Sequence, residues 1–255
     1  MAFAADFLTP VLGWLFHLPP WLAILFMSAV LATVGTLLQK YLTDQAKLKR
    51  LREDTKKFQK QYKELAKTDP EKALKLQQKM FPVQMDMMKE GFKPMLATMI
   101  PFLFIALWMG SHFAFEPIRP NEPFTVSALF AEGVVGNATL TSANGVVIDQ
   151  ATKDIVAGSV TWNLRAPAGE HTVFLSAANG VVSDNRTVLV TTTREYETPL
   201  LRKDGAIVRE FNIGNAKLTP FGDVSLFGWK PGWIAVYILL SIPISLLLRK
   251  VMGVV

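Results

Sequence analysis

The sequence predicts an α-helical membrane protein with an all-β domain inserted outside the membrane. Three observations carry that expectation. Trp21 to Leu38, Pro94 to Phe115 and Pro231 to Leu248 are stretches of 18, 22 and 18 residues without Lys, Arg, Asp or Glu. Between the first two lies a basic, heptad-patterned segment, 40–93. Between the second and third, residues 120–226 turn to short Thr- and Val-rich alternations punctuated by turn dipeptides.

The chain opens on residues 1–20. Phe3 to Phe16 is apolar apart from Asp6, and ends at His17 and the helix-breaking Pro19-Pro20 pair. This reads as an outer interfacial amphipathic segment, with Trp14 and Phe16 at headgroup depth. The first span follows at 21–39. An 18-residue helix reaches about 27 Å, close to the thickness of the hydrocarbon layer. No Lys or Arg precedes this run and no short cleavage pattern follows it, so it is expected to stay in the protein.

Charge sets the expected orientation. Gln39 to Lys93 holds 15 Lys/Arg against 8 Asp/Glu, whereas Glu116 to Phe227 holds 9 against 12. Lys40, Lys47, Lys49, Lys89 and Lys93 flank the spans, which places the basic segment in the cytosol. The N-terminus and residues 120–226 are then outside. The second span is 94–115, the third 231–248, and the tail 249–255 is cytosolic. A multi-pass plasma-membrane protein is expected.

The basic segment reads as an antiparallel coiled-coil hairpin. Leu48, Leu51, Thr55, Phe58, Tyr62 and Leu65 are spaced 3-4-3-4-3, an a/d seam. At the turn, Pro70 suits a first helical position, Thr68 or Asp69 its cap, and Thr68 with Glu71 a capping box. Ala73, Leu76, Met80, Val83 and Met87 supply the second seam. Pro82 is expected to kink this arm, and Gly91 to ease its entry into the second span.

Residues 120–226 predict about seven short strands and an immunoglobulin-like sandwich. Asn144-Gly145, Asn179-Gly180 and Asp204-Gly205 are two-residue hairpin signals. The string Ala-Asn-Gly-Val-Val recurs from Ala143 and Ala178, repeated turn chemistry with diverging flanks.

Reaction chemistry has little to stand on. The chain has no cysteine, and its outer Asp and Glu residues are dispersed. No serine-nucleophile or Gly-rich phosphate motif is present. No catalytic residue, metal or cofactor is expected, and the chain is not read as an enzyme. Asn137-Ala-Thr139 and Asn185-Arg-Thr187 are glycosylation sequons.

The spans carry more. Ser241, Ser245 and Arg249 follow at i, i+4 and i+8. Thr33, Thr36 and Lys40 share a face, with Gln39 adjacent, and Thr98 lies near the cytosolic end of the second span. With the expected orientation, all lie in the inner half of the membrane. Two readings stand side by side: hydrogen bonding between helices with snorkelling of Lys40 and Arg249, or a polar groove open to the cytosol. Met80, Met85, Met87 and Met88 cluster where the second arm meets the membrane, and flexible Met suits varied apolar partners.

An N-out first span, the basic hairpin, Phe81-Pro82-Val83-Gln84-Met85 before the second span and an inward-running third span resemble the YidC/Oxa/Alb3 superfamily of membrane protein insertases. The three-span form is most similar to its archaeal YidC-like branch. The resemblance covers roughly 1–115 and 228–255, so the β domain stands as an insertion. It implies a groove that receives hydrophilic parts of nascent membrane proteins. Thr33, Thr36, Gln39, Lys40, Thr98, Ser241, Ser245 and Arg249 would line or edge that groove. Lys56, Lys57, Lys60, Met80, Met85 and Met88 would contact client or ribosome. Bacterial members carry a groove arginine in their first core span; Trp21 to Leu38 has none, which favours a neutral polar groove. Implied partners are nascent membrane proteins, the ribosome (rRNA) or targeting factors, additional small membrane subunits and the bilayer. The basic hairpin is attracted to ribosomal RNA and to anionic lipid alike. The rival expectation is a membrane-anchored adaptor, with the coiled coil recruiting a cytosolic partner and the β domain an external one.

Overall fold

The structure is a computed structural model and describes residues 2–142, 145–177, 182–225 and 228–254. Its helices are α1 (Ala2–Leu12), continued by a 3-10 turn (Gly13–His17), α2 (Pro20–Leu42), α3 (Gln45–Thr68), α4 (Pro70–Phe113) and α5 (Trp233–Met252). Three of them, α2, α4 and α5, are long and apolar enough to cross a membrane. The chain divides into two units: Met1–Pro20 with Leu107–Trp233, and Trp21–Ala106 with Ile234–Val255.

The helical unit, Trp21–Ala106 with Ile234–Val255, contains a hairpin turning on one residue. Asp69 alone separates α3 from α4. Its carboxylate accepts the Lys72 N–H at 3.1 Å, and Pro70 starts the new helix with an amide that needs no partner. Thr68 does not act as the cap, because its hydroxyl donates back to the Glu64 carbonyl at 3.1 Å. Asp44 caps α3 in the same manner, accepting from Lys47 N at 2.9 Å. The two arms fold back on each other: Lys47 Nζ, 22 residues before Asp69, meets Glu90 Oε1, 21 residues after it, at 2.8 Å. Of the two seams, Leu48, Ala73 and Met80 are buried. Leu51, Thr55, Phe58, Leu65, Leu76, Val83 and Met87 are half-buried, and Tyr62 is exposed.

The second arm and the second span are a single 44-residue helix, continuous past Pro82, Pro94 and Pro101. Each proline withholds the amide that would bond the carbonyl four residues earlier. Such losses are tolerated where neighbouring helices or Ser/Thr side chains surround the backbone.

The other unit holds nine described strands: β1 (Phe124–Phe130), β2 (Asn137–Ser142), β3 (Val147–Ile148), β4 (Thr152–Asp154), β5 (Ser159–Arg165), β6 (Gly169–Ala177), β7 (Val182–Val190), β8 (Leu200–Arg202) and β9 (Val208–Ile213). They form two antiparallel sheets, β3-β5-β1-β9-β8 and β4-β2-β6-β7. Alternation explains the core. Val126, Ala128 and Phe130 of β1 and Val160, Trp162 and Leu164 of β5 point inward, as do Ala138 and Leu140 of β2 and Val173 and Leu175 of β6. Side chains of both sheets form one apolar cluster, with Trp162 fully buried and its Nε1 donating to Ala151 O at 3.0 Å. Gly214 closes the sheet against β1, where an added Cβ would lie 2.0 Å from Thr125 Oγ1.

The turn signals fare unequally. Asn179-Gly180 lies outside the described residues, although β6 and β7 pair as the expected hairpin, Ala177 opposite Val182. Asp204-Gly205 does turn β8 into β9, with Gly205 at φ +76°, but through a longer loop: Lys203 N donates to Arg209 O at 2.9 Å. Asn144 also lies outside the described residues. The strands flanking Asn144-Gly145, β2 and β3, sit in different sheets, so no hairpin joins them.

The chain enters and leaves this domain beside the end of α4. Tyr196 Oη donates to Gly110 O and accepts from Ala114 N at 3.1 Å, which satisfies groups that a helix end leaves open. His112 Nδ1 donates to Arg194 O at 2.8 Å, and the Arg194 guanidinium lies 5.5 Å from the Phe113 ring centre. The N-terminal elements join the same cluster: Phe16 stacks on Trp108 at 5.6 Å, and Trp108 Nε1 donates to Thr9 Oγ1 at 3.2 Å.

Candidate functional site

The helical unit has an open-sided cavity of about 350 Å³ lined by α2, α4 and α5. Helix α2 contributes Leu31, Ala32, Gly35, Thr36 and Gln39. Helix α4 contributes Gly91, Pro94, Met95 and Thr98, and α5 contributes Tyr237, Ser241, Ser245 and Arg249. On α5 these form one ladder at i+4 steps, about 18 Å long. The α2 face is built from small residues at Ala32 and Gly35, which let α4 approach. A Cβ on Gly35 would stand 3.6 Å from Thr98 Cγ2.

Hydrogen bonding divides the polar lining in two. Thr36 Oγ1 donates to Ala32 O at 2.7 Å, Thr98 Oγ1 to Met95 O at 2.9 Å and Ser241 Oγ to Ile238 O at 3.1 Å. Each of these hydroxyls spends its proton on its own helix and offers lone pairs to the cavity. The Ser245 hydroxyl and the Arg249 guanidinium have no side-chain partner among the described residues, so α5 supplies unused donors. No Asp or Glu is among the lining residues. The cavity can therefore accept hydrogen bonds along its length and donate them at its Arg249 end.

Six of the eight residues expected to line a groove meet here: Thr36, Gln39, Thr98, Ser241, Ser245 and Arg249. Thr33 and Lys40 do not. Thr33 is half-buried with its hydroxyl on Ala29 O at 2.7 Å, and Lys40 is exposed. At 100° per residue, Thr33 and Lys40 sit more than a quarter-turn from the centre of the Ala32-Gly35-Gln39 stripe that faces α4. Tyr237 was not anticipated. It extends the Ser241, Ser245, Arg249 series by one more i−4 step, and its ring tilts against Phe102 at 5.9 Å.

At the hairpin base, Glu90 is buried and accepts from Lys47 at 2.8 Å, with Lys93 at 3.6 Å. The hydrogen bond and charge of Glu90 raise the Lys47 ammonium above its ordinary value. Of the expected client or ribosome contacts, Lys56, Lys57, Lys60 and Met88 are exposed, Met85 is half-buried and Met80 is buried on the seam. The sequon residues Asn137 and Asn185 are both exposed, on β2 and β7.

A family model described as integral membrane protein EMC3/TMCO1-like matches residues 7–144. The match begins within α1, takes in α2 to α4 and also β1 and β2, and stops before α5. It thus extends further into the β domain than the expected 1–115 and leaves the third span unmatched. No curated protein and no solved structure gives a match.

Proposed function

Since the chain belongs to the EMC3/TMCO1-like integral membrane family, within the Oxa1/YidC-related insertase superfamily, we propose that it inserts membrane proteins through the α2–α4–α5 cavity. In this reading a hydrophilic stretch of a nascent chain leaves the cytosol, enters the cavity and exchanges water for the hydroxyl oxygens of Thr36, Thr98 and Ser241. Ser245 and Arg249 donate to its carbonyls. The adjoining apolar stretch partitions into lipid at about 25 cal/mol per Å² buried, which drives the step without nucleotide or metal. The single observation that carries the reading is the convergence of six polar residues from three spans on one cavity.

Internally bonded hydroxyls suit this task. With the cavity empty of client they leave no donor unsatisfied in an apolar layer, where an unmatched polar group costs several kcal/mol. With a client present, their lone pairs accept without rearrangement. The orientation follows from charge: hairpin and C-terminus in the cytosol, N-terminus and β domain outside, in the plasma membrane. We take the chain as a three-span member of the archaeal YidC-like branch. Its hairpin serves as the coiled-coil contact for ribosome or targeting factor, through Lys56, Lys57 and Lys60. The β domain is read as immunoglobulin-like, supported by two antiparallel sheets around a buried Trp162.

Photo-crosslinking side chains placed at Thr36 and Ser245 test this. They are expected to capture nascent membrane proteins during synthesis. Adducts with lipid alone would remove the reading. Removal of 120–226 separates it from the adaptor alternative, since an insertase core still inserts clients without that domain.

A further inference from the structure

The outer face of the β4-β2-β6-β7 sheet carries many hydroxyls, and Phe174 stands among them. Phe174 on β6 is 46% exposed. Across the ladder it pairs with Thr141 on one side and Asn185 on the other. Asn185 starts the sequon Asn185-Arg186-Thr187. Strand alternation puts Asn185 and Thr187 on the outer face with Phe174. Arg186 turns the other way, where its guanidinium donates to Phe211 O at 2.7 Å and to Thr198 O. The Asn185 backbone N–H donates to Asp184 Oδ1 at 2.8 Å, outside the ladder. Phe174 and Asn185 thus form a non-hydrogen-bonded pair, the kind whose facing side chains lie closest, with Cα atoms about 4.5 Å apart.

We propose that Asn185 is an N-glycan acceptor and that Phe174 is the platform on which its first sugar rests. The proposal depends on the external placement of the β domain. In the transfer, Asn185 Nδ2 attacks C1 of a sugar carried on a polyprenyl phosphate or diphosphate. The N–C1 bond forms, the C1–O bond to the lipid phosphate breaks, the phosphate leaves with the electron pair, and the amide proton passes to the transferase. Nothing is oxidised or reduced. An edge strand suits the reaction, because among the described residues no further strand lies alongside β7, which carries Asn185. The apolar C–H face of a pyranose then covers the exposed ring, which otherwise faces water among threonines.

The second sequon lacks these features. Asn137 pairs with the carboxylate-bearing Asp154, and its sequon hydroxyl, Thr139 Oγ1, is already engaged with Thr152 Oγ1 at 2.9 Å. The proposal is therefore for Asn185 and not for Asn137.

The test uses the full chain made in a glycosylating membrane host, as wild type, Asn185→Gln and Phe174→Ser. A fourth variant adds a reporter sequon to Asn185→Gln through Val135→Asn with Asn137→Thr, at an exposed turn. Peptide mass spectrometry is expected to find the glycan on Asn185, and one endoglycosidase-sensitive gel step should vanish in Asn185→Gln. Enzymatic removal of the glycan should lower the melting temperature of the wild type by about 4 °C, with no such drop in Phe174→Ser. A reporter modified in the fourth variant, with Asn185 bare in the wild type, overturns the proposal while leaving the external placement intact. If neither site is modified, the external placement fails and takes the proposal with it. An equal drop in wild type and Phe174→Ser overturns the role of Phe174.

Discussion

The β domain and the spans treat apolar side chains in opposite ways. In the β domain, alternate residues of two sheets close on one another and leave Trp162, Phe211, Leu140 and Leu175 almost without exposure. In the spans the apolar stretches of α2, α4 and α5 are only 33%, 17% and 6% buried. Water as solvent forces the first arrangement; lipid permits the second, because a hydrocarbon tail is as apolar as a leucine. Polar groups reverse in the same sense. The β domain leaves many polar groups exposed, with ion pairs such as Lys203 to Asp184 at its edge. The spans gather six of theirs, Thr36, Gln39, Thr98, Ser241, Ser245 and Arg249, on one cavity. The lesson is that the inward-facing groups of the helical unit are the informative ones, because burial there is not explained by a hydrophobic core.

Substitutions test this contrast. Trp162→Ala should have the largest effect, about 3–5 kcal/mol of β-domain stability, read by denaturant unfolding of the purified full chain. Smaller is the acid response of the same domain. Lys153, 2.9 Å away, with Gln150 N, Asn163 N and Asn163 Nδ2, holds the Asp149 carboxyl down from 3.8 to about 2. A depressed carboxylate stabilises the fold above its unfolded value, and that contribution is lost as pH falls from near 3.8 through about 2. Melting temperature against pH should show this loss in the wild type and a flatter acid limb in Asp149→Asn. Smallest is Leu246→Ala on the outward face of α5, 62% exposed, which should change stability by no more than about 0.5 kcal/mol. A cost like that of Trp162→Ala would mean that Leu246 meets protein rather than lipid.

Much of this was legible in the sequence because it depends on periodicity. Charge-free runs found the three spans, the 3-4 seams found the hairpin, and i+4 spacing found Ser241, Ser245 and Arg249. What stayed hidden depends on packing between segments. Polarity alone grouped Thr33, Thr36 and Lys40. Helix α2 instead turns the face carrying Ala32, Gly35, Thr36 and Gln39 toward α4, since small residues decide how closely helices approach, and only Thr36 belongs to both sets. Tyr237 went unnoticed because a lone tyrosine near a span end reads as an interface anchor. At Asn144-Gly145 the dipeptide carried a turn signal but not the choice of sheet for the strand that follows.

Insertion by this route requires a cavity that is polar and open to water from the hairpin side. The absence of native cysteine makes a direct measurement available. Single cysteines at Ser245 and Leu246, adjacent on α5, are exposed to a membrane-impermeant maleimide from the cytosolic side of sealed inverted vesicles. Ser245→Cys should react rapidly and Leu246→Cys at least about tenfold more slowly, because thiolate chemistry requires water. Equal protection of both positions, or faster labelling at Leu246→Cys, would contradict the account.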